Sequence, residues 1–310
     1  MKQDMRDAFF EELVECALRD ERIVFLTADH GAFALKRFEQ LLPRRYLNIG
    51  IAEQNMIGIA AGLASAGKIV FAYGISPFVS LRVMEHLTID VAANDLAVNV
   101  VSVGAGFTYS TDGPTHQGLQ DMAAVLTVPN LFVCNSSDPF DTKEFVRKSI
   151  ERKKPHYIRI EKEQVEVIEA SFYGEGYSKV IDRGPKLVIV TTGILAHKLN
   201  RILKSFDEDK IPEISLVNIT QVKPFTEQLL GEMKVWEKIL IIEEGYKTGF
   251  TAQLNLAISE NSEGARVKSI TPEEKYWFEG NNREGMYEIA GLSDQALESA
   301  IIAWSTGKFK

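Results

Sequence analysis

The spacing of hydrophobic and polar residues predicts alternating helices and strands along the first half of the chain. The opening segment MRDAFFEELVECALRD has the period of a helix with one apolar face, and the apolar segment RIVFLTA that follows is typical of a strand. The alternation continues to Ile160, with helices expected at FALKRFEQLL, 53–66, 78–93, LQDMAAVL and DTKEFVRKSIERK, and strands at KIVFAYG, LAVNVVSVG, NLFVCN and HYIRI. This order predicts a parallel sheet covered by helices on both faces, whose ligands gather where the strands end.

The pattern lapses after Ile160 and then resumes. Residues 166–184 are polar and contain several glycines, as expected of a linker with a surface strand or two. A second alternation follows, through KLVIVTTG, a helix from Ile194, EISLVNI, FTEQLLGEM, KILIIEE, GFTAQLNLAIS, ARVKSI and a final helix near DQALESAIIAW. We therefore expect an α/β protein of two doubly wound domains, 1–165 and a smaller 185–310, joined by the linker 166–184.

Composition and charge narrow the class of partner. The chain has 310 residues, 45% of them hydrophobic, and a formal net charge of −8, so nucleic acid and anionic membranes would be repelled on average. The apolar stretch 56–81 is broken by Lys68 and Pro77 before it could span a bilayer. Cys16 and Cys134 lack the spacing of a metal site or a disulfide framework, and no secretory segment is evident at the start. We expect a cytoplasmic protein with a small-molecule or protein partner.

The stretch NIGIAEQNMIGIAAGLASAG places one acid, Glu53, at the start of a helix that is otherwise apolar and rich in small residues. An acid in the first turn of a helix offsets the positive end of the helix dipole, and that alone could explain it. The small residues also let neighbouring elements approach closely, which would leave the carboxyl partly desolvated. A desolvated carboxyl holds its proton more tightly and is suited to share it with a nitrogen base.

Three other loops at predicted strand ends carry candidate side chains. The segment YSTDGPTHQG contains His116, which can titrate near neutrality, and Asp112; it is either a polar turn or part of a site. Phe78 follows KIVFAYG and could be a core residue, and Asp29 in TADHGAF could merely cap a helix. The glycines of GAG do not complete a G-x-G-x-x-G motif, because Tyr109 stands in the third position, and no G-x-S-x-G elbow supplies a hydrolytic nucleophile.

Taken together, NIGIAEQNMIGIAAGLASAG, FVSLRVMEHLTIDVA and DGPTHQGLQDMAAVLTVPNLFVCNSSDP resemble the pyrimidine-binding half of the transketolase and 1-deoxyxylulose-5-phosphate synthase family. The segments GPKLVIVTTGILAHKL, VNITQVKPFTEQLL, KILIIEEGYKTGF and GLSDQALESAIIAW resemble that family's C-terminal domain. The resemblance covers nearly the whole chain. It implies a pyrimidine-binding domain followed by a smaller transketolase C-terminal domain.

The resemblance implies thiamine diphosphate as cofactor and gives the candidate residues roles. In this family a glutamate bonds N1′ of the aminopyrimidine and favours the tautomer that deprotonates the thiazolium carbon, and Glu53 matches it. Phe78 matches the aromatic residue that stacks on the pyrimidine, and Asp29 falls near the loop against the thiazolium. His116 and Asp112 match the pair that bonds substrate hydroxyls or the developing alkoxide. Glu53 and His116 are thus the expected catalytic residues.

The resemblance also implies that the diphosphate-binding domain of the enzyme lies on another chain. The family holds the diphosphate through Mg²⁺ with a Gly-Asp-Gly motif followed by Asn, and this sequence contains no Gly-Asp-Gly. In single-chain members that domain precedes the pyrimidine domain, whereas Met1 begins just ahead of it here. We expect the C-terminal subunit of a split enzyme, with the metal ligands on a separate diphosphate-binding chain and an α₂β₂ assembly.

The expected reaction is transfer of a two-carbon ketol or related acyl unit from a ketose or 2-oxoacid donor to an aldehyde acceptor. Gly104 stands where transketolases carry a phosphate-binding histidine, and Lys162 where an arginine is expected. This argues against pentose phosphates and for an unphosphorylated sugar, a 2-oxoacid or a modified sugar. Two alternatives remain open: the β subunit of a 2-oxoacid dehydrogenase E1, and a non-catalytic regulatory subunit with the same fold.

Overall fold

The computed structural model describes residues 2–31, 34–206 and 213–307. The strands in chain order are β1 (Gln3–Asp4), β2 (Ile23–Thr27), β3 (Tyr46–Asn48), β4 (Ile69–Ile75), β5 (Val98–Val103), β6 (Phe132–Asn135), β7 (His156–Ile160), β8 (Gln164–Val165), β9 (Phe172–Gly174), β10 (Tyr177–Ile181), β11 (Leu187–Thr191), β12 (Ile214–Ile219), β13 (Gln221–Lys223), β14 (Lys238–Ile242) and β15 (Arg266–Ile270). The helices are α1 (Met5–Arg19), α2 (Leu35–Leu41), α3 (Glu53–Ser65), α4 (Met84–His86), α5 (Asp121–Val125), α6 (Pro139–Arg152), α7 (Leu195–Ser205), α8 (Glu227–Met233), α9 (Phe250–Asn261), α10 (Arg283–Ala290) and α11 (Asp294–Ser305).

The first sheet runs in the order β13-β6-β7-β5-β4-β2-β3. Its strands are parallel except β13, which comes from the second half of the chain and pairs antiparallel with β6. Strands β2, β5 and β7 are buried throughout, as expected of a sheet covered on both faces. The strand order reverses between β2 and β4, and such a switch point is where an open α/β sheet forms its ligand crevice.

Helices cover both faces of this sheet. Aromatic and aliphatic residues of α1 and α6, among them Phe9, Phe10 and Phe145, pack on one face against Phe25 and Phe71. Apolar residues of α3 and α5 pack on the other face and join the core that extends into the second half of the chain. The predicted fold class, α/β with a parallel sheet covered by helices on both faces, is confirmed by this arrangement.

The second sheet runs in the order β15-β14-β11-β12-β10-β9. Strands β15, β14, β11 and β12 are parallel, whereas β10 and β9 extend the edge antiparallel. A separate pair, β1 with β8, ties the start of the chain to the segment after β7. Within the described ranges, no helix is long and apolar enough to cross a membrane.

The segment 78–93 differs from the single helix predicted for it. It begins as a turn, continues as a 3₁₀ turn at Leu81–Val83 and α4, and ends in a π-helical turn at Leu87–Ala92. Ser80 has non-helical dihedral angles, so the turn before Leu81 is not α-helical, and the Ser80 hydroxyl donates to the Ser76 carbonyl at 2.6 Å. Short π-helical turns often lie near functional sites. Helix α10, which the sequence pattern did not indicate, is a second difference.

Candidate active site

Glu53 is a buried acid at the carboxyl edge of the first sheet. It is the first residue of α3 and only 1% of it is exposed. Its Oε2 accepts a hydrogen bond from Nη1 of Arg82 at 2.6 Å, and Arg82 remains 42% exposed. Its Oε1 is buried and has no hydrogen-bond partner among the described residues. A buried carboxylate oxygen without a partner is costly, so this atom is available to a ligand nitrogen.

Three rings gather beside this carboxyl. Phe78 lies 5.1 Å from His116 in an edge-on arrangement and 6.4 Å from His30, both measured between ring centroids. The guanidinium carbon of Arg82 lies 4.3 Å from the centroid of Phe78, so the arginine covers one face of the ring while it pairs with Glu53. The structure therefore brings the predicted residues Glu53, Phe78 and His116 to one place.

His30 belongs to this cluster and was not among the predicted site residues. Burial lowers the pKa of His30, opposed by a backbone hydrogen bond with Ala28 and by the negative charges of Glu53 and Asp29. Its Nδ1 is buried and finds no partner within the described part of the chain. His30 follows Asp29 in the loop after β2, so its position at the switch point was the signal that could have found it.

Asp29 faces a neighbouring loop rather than the rings. Its backbone is left-handed, with φ at 58°, and its N–H donates to Oδ1 of Asn48 at 3.0 Å. Nδ2 of Asn48 donates back to the Asp29 carboxylate at 3.1 Å, and the Gly50 N–H donates to Asn48 Oδ1 at 3.0 Å. Asn48 thus joins the loops after β2 and β3, and the β3 strand that carries it was not predicted.

The loop from Gly104 to Gly118 carries Asp112 and His116. Asp112 lies in a 3₁₀ turn and is exposed, whereas Nδ1 of the half-buried His116 lies 2.9 Å from the Thr115 hydroxyl. Tyr109 connects this loop to the end of β7, because its ring centroid lies 6.5 Å from His116 and 5.7 Å from Nζ of Lys162.

Only glycine fits at position 104, because the Tyr109 ring packs against its Cα. Its φ is 93°, and an added Cβ would overlap the Tyr109 ring. The tyrosine therefore occupies the space beside the position where the resemblance places a phosphate-binding histidine. Lys162 is exposed and lies over the same tyrosine ring, so it is a cation that could meet an anionic group here.

A buried polar network supports the loop after β4. Arg159 donates to both carboxylate oxygens of Asp121, at 2.9 Å and 3.0 Å, and the hydroxyls of Ser76 and Tyr157 each donate to Asp121 Oδ2 at 2.8 Å. Burial raises the pKa of Tyr157 well above its ordinary value, and the Asp121 charge adds to this effect. The network fixes Ser76, two residues before Phe78.

Metal-binding side chains are not clustered in the described part of the chain. Across residues 2–31, 34–206 and 213–307, no group of three or more His, Cys, Asp or Glu side chains is placed to hold a metal ion.

Comparison with known families decides which protein family this site belongs to. Residues 1–167 match the family described as transketolase, pyrimidine binding domain, and residues 176–293 match transketolase, C-terminal domain. The chain belongs to the transketolase family. Glu53, Phe78, His116 and Lys162 all lie within the pyrimidine binding domain of this transketolase-family chain, and Arg283 of α10 lies within the C-terminal one.

Its relatives include separate transketolase subunits. The chain is 35% identical to a putative transketolase C-terminal section from Methanocaldococcus jannaschii over 74% of each protein. It is 28% identical to one subunit of an apulose-4-phosphate transketolase from Phocaeicola vulgatus over 94% of each. It spans about half of 1-deoxy-D-xylulose-5-phosphate synthase from Clostridium perfringens, at 26% identity over 95% of this chain and 48% of that protein.

A solved structure extends the similarity over the full length. The structure described as a split gene transketolase, inactive beta4 tetramer, superposes with a TM-score of 0.86 at 27% identity, covering 98% of this chain and 99% of that one. The transketolase of Campylobacter jejuni shares the fold, with a TM-score of 0.82 at 15% identity over 97% of this chain and 47% of that one.

Proposed function

We propose that this chain is the pyrimidine-binding subunit of a two-chain, thiamine-diphosphate-dependent transferase that moves a two-carbon ketol or related acyl unit to an aldehyde acceptor. One observation carries the proposal: Glu53 is buried, its Oε1 lacks a partner among the described residues, and the ring of Phe78 and two imidazoles lie beside it. The transketolase family match and the relatives named as separate subunits support it.

The residues present fit the cofactor. Glu53 would hold a ring nitrogen of the aminopyrimidine through Oε1, and Phe78 would offer its apolar face once the Arg82 guanidinium moves off it. When bound, thiamine diphosphate supplies a carbanion nucleophile and an electron sink for the cleaved carbon–carbon bond. Asp29 would lie toward the thiazolium side, held in place by Asn48.

His116 and Asp112 would serve the substrate. His116 has one nitrogen set by Thr115, which leaves the other to donate to a substrate hydroxyl or to a developing alkoxide. Asp112 is exposed and would accept from hydroxyl groups. With Gly104 in place of a histidine and Lys162 in place of an arginine, we propose a modified or unphosphorylated sugar, or a 2-oxoacid, rather than a pentose phosphate.

The partner would be a separate diphosphate-binding chain that supplies the Mg²⁺ ligands, in an α₂β₂ assembly. The outer face of α3 supports this, because Gly58 and Gly62 are exposed and a Cβ on either would meet only open space. Exposed apolar side chains lie at Ile51, just before this helix, and at Leu81 and Ile89, in the turns 81–83 and 87–92 that pack against it. Free thiols at Cys16 and Cys134 fit the cytoplasm, where we place the enzyme.

The first test is a native mass spectrum of the tagged chain, purified from its own host in the presence of Mg²⁺. Co-purification of a second chain together with thiamine diphosphate supports the proposal. A cofactor-free assembly of this chain alone, unable to take up added thiamine diphosphate with Mg²⁺, would contradict it and favour a non-catalytic subunit.

The second test is substitution in the reconstituted complex. We expect Glu53→Gln to lower kcat by about 10²-fold or more, as for a positioned proton-transfer group. The matched control is Glu151→Gln, which changes an exposed acid on α6, on the opposite face of the first sheet from α3. The assay uses a panel of ketose and 2-oxoacid donors with an aldehyde acceptor. Turnover of Glu53→Gln within about threefold of the parent enzyme would exclude the catalytic role.

A further inference from the structure

The loop from Gly104 to Gly118, called here the His116 loop, is attached to the second domain along its length. The N–H of Phe107 donates to Oε1 of Glu244 at 2.8 Å, and the Phe107 ring meets Trp277 edge-on at 5.8 Å. The Ser110 hydroxyl and the Gln117 amide donate to backbone carbonyls of the second domain, at 2.6 Å and 3.0 Å. The loop therefore depends on the second domain for its conformation.

Arg283, at the start of α10, is the centre of this attachment. Its Nη2 lies 2.9 Å from Oε1 of Glu161, the residue directly after β7, and its Nε lies 2.9 Å from Oε1 of Glu244. The side chains of all three are nearly buried, with exposed fractions of 11% for the arginine and 2% and 8% for the two glutamates. The Thr108 hydroxyl of the His116 loop donates to Glu161.

Burial makes this cluster intolerant of displacement. Two buried carboxylates share one guanidinium, and the more exposed Glu163 also lies 3.6 Å from its Nη1. Burial raises the pKa of Glu161, opposed by the positive charge of Arg283. A buried carboxylate that loses its cation is left uncompensated, so the arginine holds both glutamates to one geometry. Glu244 in turn fixes the Phe107 N–H, and Gly106 has no room for a Cβ, which would overlap the Glu244 side chain.

We propose that Arg283 is a positioning residue for substrate binding. Through its ion pairs with Glu244 and Glu161 it fixes the His116 loop and the end of β7, just before Lys162. This deepens the proposed function and rests on it, because it assigns the second domain a role in placing His116 and Asp112. Glu53 and Phe78 belong to other loops and have no contact with Arg283, Glu161 or Glu244 in the described ranges, and of the two only Phe78 meets the His116 loop, at the His116 ring. Cofactor affinity should then change much less than substrate binding when the arginine is replaced.

The test compares Arg283→Met with Arg283→Lys and with Lys198→Met. Lys198 controls for general loosening of α10, because it is a similarly buried cation of the same domain that holds α10 through Glu284 and the Tyr287 ring and also pairs with Asp294, with no contact to the His116 loop in the described ranges. Hydrogen exchange of peptides spanning 104–118 is measured on the full-length chain. We expect Arg283→Met to exchange about tenfold faster there, Arg283→Lys to fall in between, and Lys198→Met to match the parent chain.

Kinetics of the enzyme reconstituted with its partner then distinguish a selective effect on substrate binding from a general loss of structure. We expect KM for the donor to rise about tenfold in Arg283→Met, with a smaller change in kcat and with thiamine diphosphate affinity within about twofold of the parent. Unchanged exchange of the loop, or a parallel loss of cofactor affinity, would overturn the proposal. If Arg283→Met fails to fold, Glu244→Gln takes its place, since it keeps the acceptor for Phe107 and weakens only the ion pair.

The two proposals can fail separately. If the parent complex shows no turnover and no cofactor binding, the proposed function is wrong, and with it the role in substrate binding. If the parent complex turns over but Arg283→Met has the KM and the loop exchange of the Lys198→Met control, only the positioning role is wrong.

Discussion

Glu243 is a second buried glutamate, and its burial gives a quantitative prediction. It follows β14 directly, and its Oε2 accepts from the N–H and the hydroxyl of Thr251 in α9, at 2.9 Å and 2.7 Å. Its Oε1 has no partner among the described residues. Burial raises the pKa of Glu243 from its ordinary 4.5 to about 7, opposed by the bonds from Thr251 and by the charge of Arg159.

The direction in which stability changes with pH follows from proton binding to Glu243. Between pH 4.5 and 7 the folded chain retains a proton on Glu243 that the unfolded chain has released, so stability falls as pH rises through this window. Each pH unit between these two pKa values lowers the free energy of unfolding by ~1.4 kcal/mol, so the full loss above pH 7 is on the order of 3 kcal/mol. Glu243→Gln mimics the neutral acid in shape and cannot ionise. We therefore expect the variant to match the parent near pH 4.5 and to be on the order of 3 kcal/mol more stable at pH 8.

Tryptophan fluorescence gives the assay. Trp236, Trp277 and Trp304 are the only tryptophans in the sequence, and all follow residue 185, so urea denaturation followed by fluorescence reports on the second domain. The free energy of unfolding is measured at several pH values for the parent and for Glu243→Gln. Glu263→Gln, which changes an exposed acid after α9, is the control and should leave the pH dependence unchanged. A difference between parent and Glu243→Gln that is the same at pH 4.5 and pH 8 would refute the reasoning.

Three further substitutions test the structure around the site. Arg159→Met should cost about 3–5 kcal/mol of unfolding free energy because it strands the buried Asp121 carboxylate, and adding Asp121→Leu should restore part of it in urea titrations. Gly104→Ala should cost ~1–3 kcal/mol, since it strains a positive φ and displaces the Tyr109 ring; adding Tyr109→Ala should relieve only the overlap, as a double-mutant cycle would show. Asn48→Ala should lower the unfolding free energy by about 1–2 kcal/mol through lost hydrogen bonds, whereas an unchanged thermal midpoint would show that the loop pairing contributes nothing.

The fold was predictable from the sequence because its main signals are local. Apolar runs such as KIVFAYG and KLVIVTTG, alternating with amphipathic helices, indicated both parallel sheets and their order along the chain. Strand β13 was not predicted, because only three residues form it and its partner, β6, lies far away in sequence. The irregular helix at 78–93 was missed because its apolar spacing is close to that of a regular helix, whereas the backbone leaves the helical region at Ser80 and ends in a π-helical turn.

The candidate site was only partly predictable. An acid at the start of a small-residue helix indicated Glu53, loop positions at strand ends indicated Phe78 and His116, and the structure brings the three together. Arg82 was not anticipated, because a lone cation in FVSLRVMEH gives no sign of its partner, and pairing with Glu53 across 29 positions is a tertiary contact. The role proposed for Arg283 could not be predicted from any local sequence pattern, because it depends on how the two domains pack.

Glu53 and Glu243 show how two buried glutamates with unpartnered oxygens can differ in role. Glu243 satisfies Oε2 entirely within its own domain, at the start of α9, and burial favours its neutral form, so no cation is needed there to balance a charge, although Oε1 has no partner among the described residues. Glu53 instead pairs with Arg82, a half-exposed side chain that also covers the face of Phe78. An ion pair to a half-exposed arginine can open without leaving a buried cation behind. Under the proposed function, Arg82 would move off Phe78 as a ligand pairs with the Glu53 carboxylate, whereas Glu243 has no such half-exposed partner within the described part of the chain.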